Sequence, residues 1–252
     1  MKFLIPSYKR AGRVLSYDTL ISLGVDPSDI YIGAQGKDEA MMYASAYPSA
    51  VIVENRAHNL AGNRNALIKC VKEGERAVCL DDDFKGFFKA VPIGEGKYKS
   101  ERLCENGFSD MIEFGFSHLR GGVFFGIQST ANIVMAARQL REGPVAKNRM
   151  LTRFFGFVGG NEIEFDESVH VGEDYEACLR AVALGRDVYK LLEYMPDVVE
   201  NGRGGGGCSD LYGSDVRWHN WLKDEVVAKY PKMVRFTNSR RDCTTLMMAG
   251  VK

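Results

Sequence analysis

The sequence contains the stretch Arg76-Ala77-Val78-Cys79-Leu80-Asp81-Asp82-Asp83-Phe84, an apolar run that ends in three consecutive carboxylates. Residues 78–80 have the character of a short buried strand, which gives no reason for acids at its tip. Adjacent anions near a protein interior are costly unless a cation or hydrogen bonds compensate them. Hard oxygen ligands of this kind suit Mg2+ or Mn2+ shared with a substrate's phosphates. A solvated acidic turn is the alternative, and this stretch alone leaves both open.

On either side of this stretch, short apolar runs alternate with amphipathic segments. The pattern predicts strands at residues 2–6, 29–34, 50–54 and 78–80, and helices at 11–23, 37–46 and 59–72. Such alternation favours right-handed crossovers onto a mostly parallel sheet. Ligands bind beyond the carboxyl ends of the strands in these sheets, and the three aspartates would lie there.

The second half of the sequence is less regular. It predicts helices at 100–119 and 172–183, and strands at 122–127, 153–158 and 187–194, of which the last is expected to be the final strand. Residues 128–150 mix a helix with a basic loop. The glycine run at 203–207 predicts a flexible or ligand-hugging loop.

Composition bounds the class of protein. With 252 residues, 45% of them hydrophobic and 26% charged, the chain fits one large globular domain or one domain with a modest appendage. Lys+Arg and Asp+Glu both number 33, so nucleic-acid binding would need a local basic patch. No apolar run approaches the roughly 18 residues of a membrane span, and no signal peptide is expected. Six widely spaced cysteines without a CxxC pair predict reduced thiols in a cytoplasm, with neither a zinc site nor a disulfide framework.

The first predicted strand ends in Ile5-Pro6-Ser7-Tyr8-Lys9-Arg10, which brings an aromatic ring and two cations to the binding edge. The ring could stack on a base, and the cations could offset a diphosphate. The alternative is a solvated loop between strand and helix.

Two helix starts carry further candidates. Asn59 is predicted to cap the third helix, Gly62 would let a ligand approach, and Arg64 suggests either an anionic partner such as a phosphate or a surface salt bridge. At the later helix start, Glu173 and Asp174 could simply stabilise the helix dipole. In the functional alternative, Asp174 is a general base for an acceptor hydroxyl.

This order of features resembles the GT-A glycosyltransferases: an opening βαβ unit, a carboxylate cluster after the fourth strand, a glycine-rich turn, and Glu-Asp starting a helix. Residues 81–83 resemble their DxD motif, residues 157–160 their glycine loop, and Glu173-Asp174 their xED motif. Residues 5–13 resemble the TET-associated glycosyltransferases, which include bacteriophage enzymes and the base J glucosyltransferase and modify hydroxymethylpyrimidines in DNA. The resemblance covers about residues 1–195.

The resemblance implies an α/β GT-A fold with a Rossmann-like, mostly parallel mixed sheet flanked by helices. Residues 1–200 would form the catalytic domain, with an insert at about 128–150, and residues 201–252 a glycine-rich loop and C-terminal tail or subdomain that completes the site. The implied activity is a metal-dependent, inverting hexosyl- or pentosyltransferase with a nucleotide-sugar donor, expected to be a UDP-sugar held by Mn2+ or Mg2+. Its implied location is the cytoplasm, that of the host if a phage encodes it.

The resemblance also implies roles for individual residues. Asp81, Asp83 and His219 would hold the metal, although three consecutive acids leave open which two bind it, and His219 could instead be a packed polar residue. His170 is a poorer metal candidate. Asp174, with Glu173, would be catalytic. Donor contacts are implied for Pro6, Ser7, Tyr8, Arg10, Gln35, Gly62, Arg64, Asp81 and Asp82.

The implied acceptor is double-stranded DNA with modified bases, whose target base would have to be flipped out of the stack. Basic residues that could follow its phosphates are Arg138, Arg141, Lys147, Arg149, Arg153, Lys229, Lys232, Arg235, Arg240 and Arg241. Three alternatives remain: the same chemistry on a protein, glycan or small molecule, a non-catalytic module that binds nucleotide-sugars, and a nucleotidyltransferase-like domain that uses the same acids.

Overall fold

The computed structural model describes residues 1–56, 59–120, 122–161, 164–199, 220–238 and 244–248. The helices are α1 (Leu15–Ser22), α2 (Gly36–Ala46), α3 (Leu60–Ile68), α4 (Glu105–His118), α5 (Ile133–Gln139) and α6 (Glu173–Ala183). The strands are β1 (Lys2–Pro6), β2 (Ile30–Gln35), β3 (Val51–Asn55), β4 (Arg76–Leu80), β5 (Phe84–Gly94), β6 (Lys97–Arg102), β7 (Gly122–Ile127), β8 (Val145–Lys147), β9 (Phe154–Val158), β10 (Asp187–Leu191), β11 (Tyr194–Val198), β12 (Val234–Asn238) and β13 (Thr244–Met248). A π-helix covers Leu222–Val227.

Eight strands form the main sheet in the order β3-β2-β1-β4-β9-β7-β10-β8. The strands β1 to β4 are mutually parallel, and β10 is parallel to β7. In this sheet, β9 and β8 are antiparallel to the other six strands. The predicted α/β fold, with a mostly parallel mixed sheet flanked by helices, is confirmed.

Helices cover both faces of this sheet because alternate residues of its central strands point to opposite sides. Phe3 and Ile5 of β1 pack in one buried cluster with Phe108 of α4. Leu4, between them, packs in a second cluster with Leu67 of α3. The carboxyl ends of β1, β2, β3 and β4 therefore meet at one edge between two packed layers.

A second, three-stranded sheet has the order β11-β5-β6 and starts directly after the three aspartates. The sequence analysis missed it. The helix predicted at 100–119 is wrong for its first residues, which belong to β6. The strand predicted at 187–194 divides into β10 and β11, and it is not the last strand. Because β6 is polar and almost wholly exposed, it lacks the alternation by which a strand is recognised.

The glycine turn at Gly159 and Gly160 lies at the edge opposite the aspartates. Because β9 runs against β4, this turn packs at the start of β4, where Gly159 donates its N–H to the Glu75 carbonyl at 2.8 Å. Gly74 donates its N–H to the Gly159 carbonyl at 3.1 Å. The turn at residues 157–160, which resembles a glycine loop in sequence, therefore does not lie beside the acids.

The described residues bear on two features that the sequence argued against, a membrane-spanning helix and disulfide bonds. None of the described helices combines the length and apolar character that crossing a membrane requires. The cysteines at positions 70, 79, 104 and 178 are free thiols, and Cys208 and Cys243 lie outside the described residues.

A glycine in the middle of α4 is explained by a buried ring. A Cβ at Gly115 would approach Cε2 of Phe125 to 2.1 Å, and a Cβ at Gly156 would approach Cε1 of the same ring to 2.0 Å. The Phe125 ring is fully buried between these two glycines. Close packing of the helix on the sheet therefore outweighs the low helix propensity of glycine.

We expect Gly115→Ala to lower the free energy of unfolding by about 1–3 kcal/mol, because overpacking against a buried ring exceeds the propensity gain of roughly 1 kcal/mol. Gly107→Ala is the matched control in the same helix, since its new Cβ would meet only Leu103 Cδ2, at 3.1 Å. Urea denaturation of both variants tests this. Equal stability of the two variants would contradict the packing of Phe125 described here.

Candidate active site

Asp82 fastens the loop that follows β1 to the end of β4. Ser7 Oγ donates to Asp82 Oδ2 at 2.6 Å, and the Arg10 guanidinium pairs with Oδ1. The Tyr43 hydroxyl donates to Ser7 Oγ at 2.7 Å and accepts the Arg10 N–H at 3.0 Å. Burial raises the pKa of Asp82 to about 6, although Arg10 and Ser7 oppose the shift. Both oxygens of Asp82 are thus engaged in holding the loop.

Arg64 is the centre of a buried ion triad. Its side chain is 1% exposed, with Nη2 at 2.7 Å from Asp81 Oδ1 and Nε at 3.3 Å from Glu173 Oε1. Its Cζ lies 5.3 Å from the ring centroid of Phe155 and 5.4 Å from that of Phe165. The surface salt bridge considered from the sequence is therefore wrong. The anionic partners of Arg64 are two carboxylates of this chain, one after β4 and one at the start of α6.

Asp83 differs from its two neighbours in having a buried oxygen without a hydrogen bond from any described residue. Oδ1 is buried without a hydrogen-bond partner in the described part of the chain, and Arg153 Nη1 lies 4.0 Å from Oδ2. Burial, and then the charge of Asp81, raise the pKa of Asp83. Because Asp82 is buried and Asp81 and Asp83 are half-buried, the solvated acidic turn is excluded.

Asp174 lies one residue into α6, which starts after Gly172 in a left-handed conformation with φ of 76°. Asp174 is half-buried and its Oδ1 accepts the N–H of Tyr175 at 2.8 Å, so it has some of the capping role considered from the sequence. Burial, and then the neighbouring Glu173 carboxylate, raise the pKa of Asp174, whereas Arg64 opposes the shift. Glu173 itself is buried against Arg64, which leaves Asp174 as the accessible acid of this pair.

The edge carries more negative than positive charge. Five carboxylates, from residues 81, 82, 83, 173 and 174, share ion pairs or electrostatic contacts with three guanidinium groups, from residues 10, 64 and 153. Ionisation of all five acids therefore leaves two negative charges unmatched by these arginines. Buried, unmatched carboxylates shift their pKa values upward or attract a cation.

A divalent cation fits this deficit and the chemistry of the donors. Among the described residues, no three histidine, cysteine or carboxylate side chains are placed to hold a metal ion together. The geometry explains this, since Asp82 is engaged by the loop and Asp81 Oδ1 by Arg64. Mg2+ and Mn2+ are commonly held by one or two carboxylates together with substrate phosphates and water. Asp83 and the remaining oxygen of Asp81 suit that role, and His219 lies outside the described residues.

The other predicted donor contacts lie at the same edge. Pro6 and Gln35 end β1 and β2, and Tyr8 is half-buried with Lys9 Nζ 4.9 Å from its ring centroid. Gly62 donates its N–H to Asn59 Oδ1 at 2.9 Å, which confirms the predicted helix cap.

His170, the poorer metal candidate, is engaged elsewhere. Its Nδ1 lies 2.6 Å from Glu225 Oε1, and its ring stacks on Trp221 with centroids 4.8 Å apart. Both contacts come from the segment around the π-helix Leu222–Val227, whose Leu222 is buried beside α6. The imidazole therefore faces this segment and makes no described contact with the aspartates.

The sequence analysis missed two residues that fix the edge. Asn63 donates through Nδ2 to the carbonyls of Ser7 (3.1 Å) and Gly33 (3.3 Å), joining the ends of β1 and β2 to α3. Ser16 of α1 donates its hydroxyl to the Asp81 carbonyl at 2.5 Å and so holds the acidic turn. A signal for Asn63 was present, because Asn63-Arg64-Asn65 places residues that favour local side-chain bonds inside a helix.

Comparison with known proteins gives no match to a family model and no match among curated proteins. Among solved structures, the chain is similar to glucosyl-3-phosphoglycerate synthase from Mycobacterium tuberculosis in complex with Mn2+, UDP and phosphoglyceric acid (10% identity, TM-score 0.49, 100% of this chain and 87% of that one). It is also similar to S. aureus TarS 1-349 with UDP (12%, 0.45, 92% and 71%) and to GalNAc-T7 with UDP, GalNAc and Mn2+ (13%, 0.44, 92% and 51%). Similarity at these identities and TM-scores establishes neither an activity nor a ligand for this chain.

We expect Arg64→Met to cost about 3–5 kcal/mol of unfolding free energy, because it leaves the buried Glu173 and the half-buried Asp81 without their cation. Arg64→Lys keeps the charge but loses the fork that reaches both acids, and should cost less. Arg76→Met is the matched control, since Arg76 pairs with Glu113 at 2.9 Å on the exposed surface and should contribute at most about 1 kcal/mol. Equally small losses for residues 64 and 76 in urea denaturation would refute the buried triad.

Proposed function

We propose that this chain is a metal-dependent glycosyltransferase of the GT-A type that uses a nucleotide-sugar donor, in particular a UDP-sugar. The observation that carries the proposal is the surplus of carboxylates at the carboxyl edge of the parallel strands, where Asp83 retains an unengaged buried oxygen. A dication and a diphosphate are the ligands that suit such an edge. The side chains at this edge offer carboxylate oxygens, which are the ligands that suit Mg2+ and Mn2+.

The acids have separate roles in this proposal. Asp83 and Asp81 hold the Mn2+ or Mg2+, which when bound supplies positive charge to the diphosphate. Asp82 keeps the loop after β1 in place, so that Tyr8 can stack on the base of the donor. Glu173 positions the start of α6 through Arg64.

Asp174 is the general base in this proposal. Its carboxylate takes the proton from an acceptor hydroxyl, and the hydroxyl oxygen forms a bond to the anomeric carbon of the sugar. The bond between that carbon and the diphosphate oxygen breaks, and the electron pair leaves with the diphosphate. A single displacement of this kind inverts the anomeric configuration. The raised pKa of Asp174 suits proton acceptance near neutral pH.

For the acceptor, we propose a hydroxymethylpyrimidine base in double-stranded DNA, as in bacteriophage DNA modification. This rests chiefly on the resemblance of residues 5–13 to the TET-associated enzymes. Arg138 and Arg141, both exposed on or directly after α5, support it. The rest of the basic cluster supports it less, because Lys147 and Arg149 pair with acids of this chain. Lys229 is likewise paired with Asp166, and Arg240 and Arg241 lie outside the described residues.

We expect Asp83→Asn to lower Mn2+-dependent turnover of UDP-sugars by about 100-fold or more, because the carboxylate charge that holds the dication is lost. EDTA should abolish turnover by the wild-type protein, and added Mn2+ should restore it. Asp110→Asn, a change of the same type at an exposed position of α4, is the matched control. Full turnover by Asp83→Asn, measured as released UDP, would eliminate the metal assignment.

We expect transfer of a hexose or pentose to hydroxymethylated duplex DNA, detected by digesting the product and determining the masses of the nucleosides, and no transfer to unmodified duplex.

Asp174→Asn should keep Mn2+–UDP binding and lose transfer. The wild-type rate should fall as pH drops through a midpoint above the ordinary aspartate pKa of about 4, because the base must be ionised and its pKa is raised. Transfer only to a protein, glycan or small molecule would refute the DNA acceptor and keep the donor assignment.

A further inference from the structure

Arg153 has a backbone conformation that side chains rarely adopt. It is one of four described non-glycine residues with positive φ, at 61°. It immediately precedes β9, and its carbonyl accepts the N–H of Asp81 at 2.9 Å. The register that pairs Leu80 with Phe154 fixes this contact, so the conformation of Arg153 is imposed by the pairing of β9 with β4.

The side chain of Arg153 lies over the last acid of the trio. Nη1 is 4.0 Å from Asp83 Oδ2, and the side chain is 24% exposed. The other two arginines at this edge are committed to shorter carboxylate contacts, Arg10 to Asp82 and Arg64 to Asp81. Arg153 therefore makes the longest of these three ion pairs, with the carboxylate whose other oxygen, Oδ1, is buried without a hydrogen bond from any described residue.

Strain and charge together suggest a ligand role. Left-handed backbone at a non-glycine residue costs of order 1–3 kcal/mol and persists at sites where function requires it. Glycine would satisfy the same φ without strain and without removing the carbonyl that Asp81 uses. Glycine would therefore be the better residue if only the turn were needed. We attribute the presence of arginine at this position to a role of its guanidinium group.

We propose that Arg153 binds the diphosphate of the donor, and that without ligand it serves as the counter-ion of Asp83. The inference rests on the proposed function and names a residue of the same site. If Asp83 held a dication, the Arg153 guanidinium would no longer be needed as its counter-ion. The planar guanidinium would then be available to the diphosphate, whose oxygens suit its paired N–H donors. The negative charge of the departing diphosphate develops at the same place.

This arrangement predicts opposite effects on two ligands. Removing Arg153 takes away a cation that competes for Asp83, so Mn2+ alone should bind equally or more tightly. It also takes away a diphosphate contact, so Mn2+–UDP should bind more weakly. A merely structural role predicts a parallel loss of stability and of both affinities.

The test is calorimetric titration of the full-length wild type, Arg153→Gly and Arg153→Lys with Mn2+ alone, with UDP plus Mn2+ and with pyrophosphate plus Mn2+. We expect Arg153→Gly to bind Mn2+–UDP and Mn2+–pyrophosphate about tenfold more weakly, with Mn2+ affinity and Tm unchanged or raised. Arg153→Lys should lie between, because it keeps the charge and loses the fork. Arg120→Gly is the matched control, since Arg120 is exposed before the amino end of β7.

Each of the other outcomes contradicts a specific part of the proposal. Unchanged Mn2+–UDP and Mn2+–pyrophosphate affinity in Arg153→Gly, or a parallel fall of Tm and Mn2+ affinity, overturns the role of Arg153 and leaves the proposed function standing. Arg153-dependent binding of Mn2+–pyrophosphate without binding of Mn2+–UDP upholds Arg153 and overturns the uridine donor. Absence of both complexes from the wild-type protein overturns the inference together with the proposed function.

Discussion

The enclosure of Arg64 between Asp81 and Glu173 is the interaction on which the rest of the edge depends. Burying these ions is costly, and only close geometry and further contacts offset the lost hydration. The guanidinium joins α3, the end of β4 and the start of α6, which are far apart in the chain. Two aromatic rings, of Phe155 and Phe165, close the pocket around it. The triad therefore fixes the distance between the acidic turn and the acids of α6.

This constraint explains why three adjacent aspartates do three different things. Asp81 is turned to Arg64, Asp82 to the loop that follows β1, and Asp83 to the remaining open side near Arg153. Had all three been solvated, their repulsion would be screened and no single oxygen would be distinguished. Burial separates them: Asp82 pairs with Arg10 and Asp83 with Arg153, whereas Arg64 is shared by Asp81 and Glu173. The two acids at the start of α6 are divided in the same way: Glu173 is paired with Arg64, and Asp174 is the accessible acid.

Much of the central sheet follows from the sequence, because local patterns encode it. The strands at residues 2–6 and 122–127 have the predicted bounds, and the acids lie at the predicted edge. The direction of β9 could not be predicted, since Phe-Phe-Gly-Phe-Val is buried along most of its length and has the same character in either direction. The partners of Arg64 were equally hidden, because a pairing between residues 64 and 173 is decided by tertiary packing. Its position inside a helix indicated an anion, and only the fold shows that the anions belong to the chain.

Strain and charge coincide at this edge. Of the described non-glycine residues with positive φ, Lys9 follows the carboxyl end of β1 and Arg153 precedes β9 beside the carboxyl end of β4, and both are cations. A protein selected only for stability would place glycine or asparagine at such positions, and would not gather five buried or half-buried acids around three arginines. Each departure lowers the stability of the unliganded edge, and a bound dication with its anionic partner would offset the unmatched charge. Sites built for ligands commonly keep such local costs, since the ligand and the surrounding fold compensate for them. The central strands, pinned by Asn63 and Arg64, supply the rigidity that lets this edge remain strained.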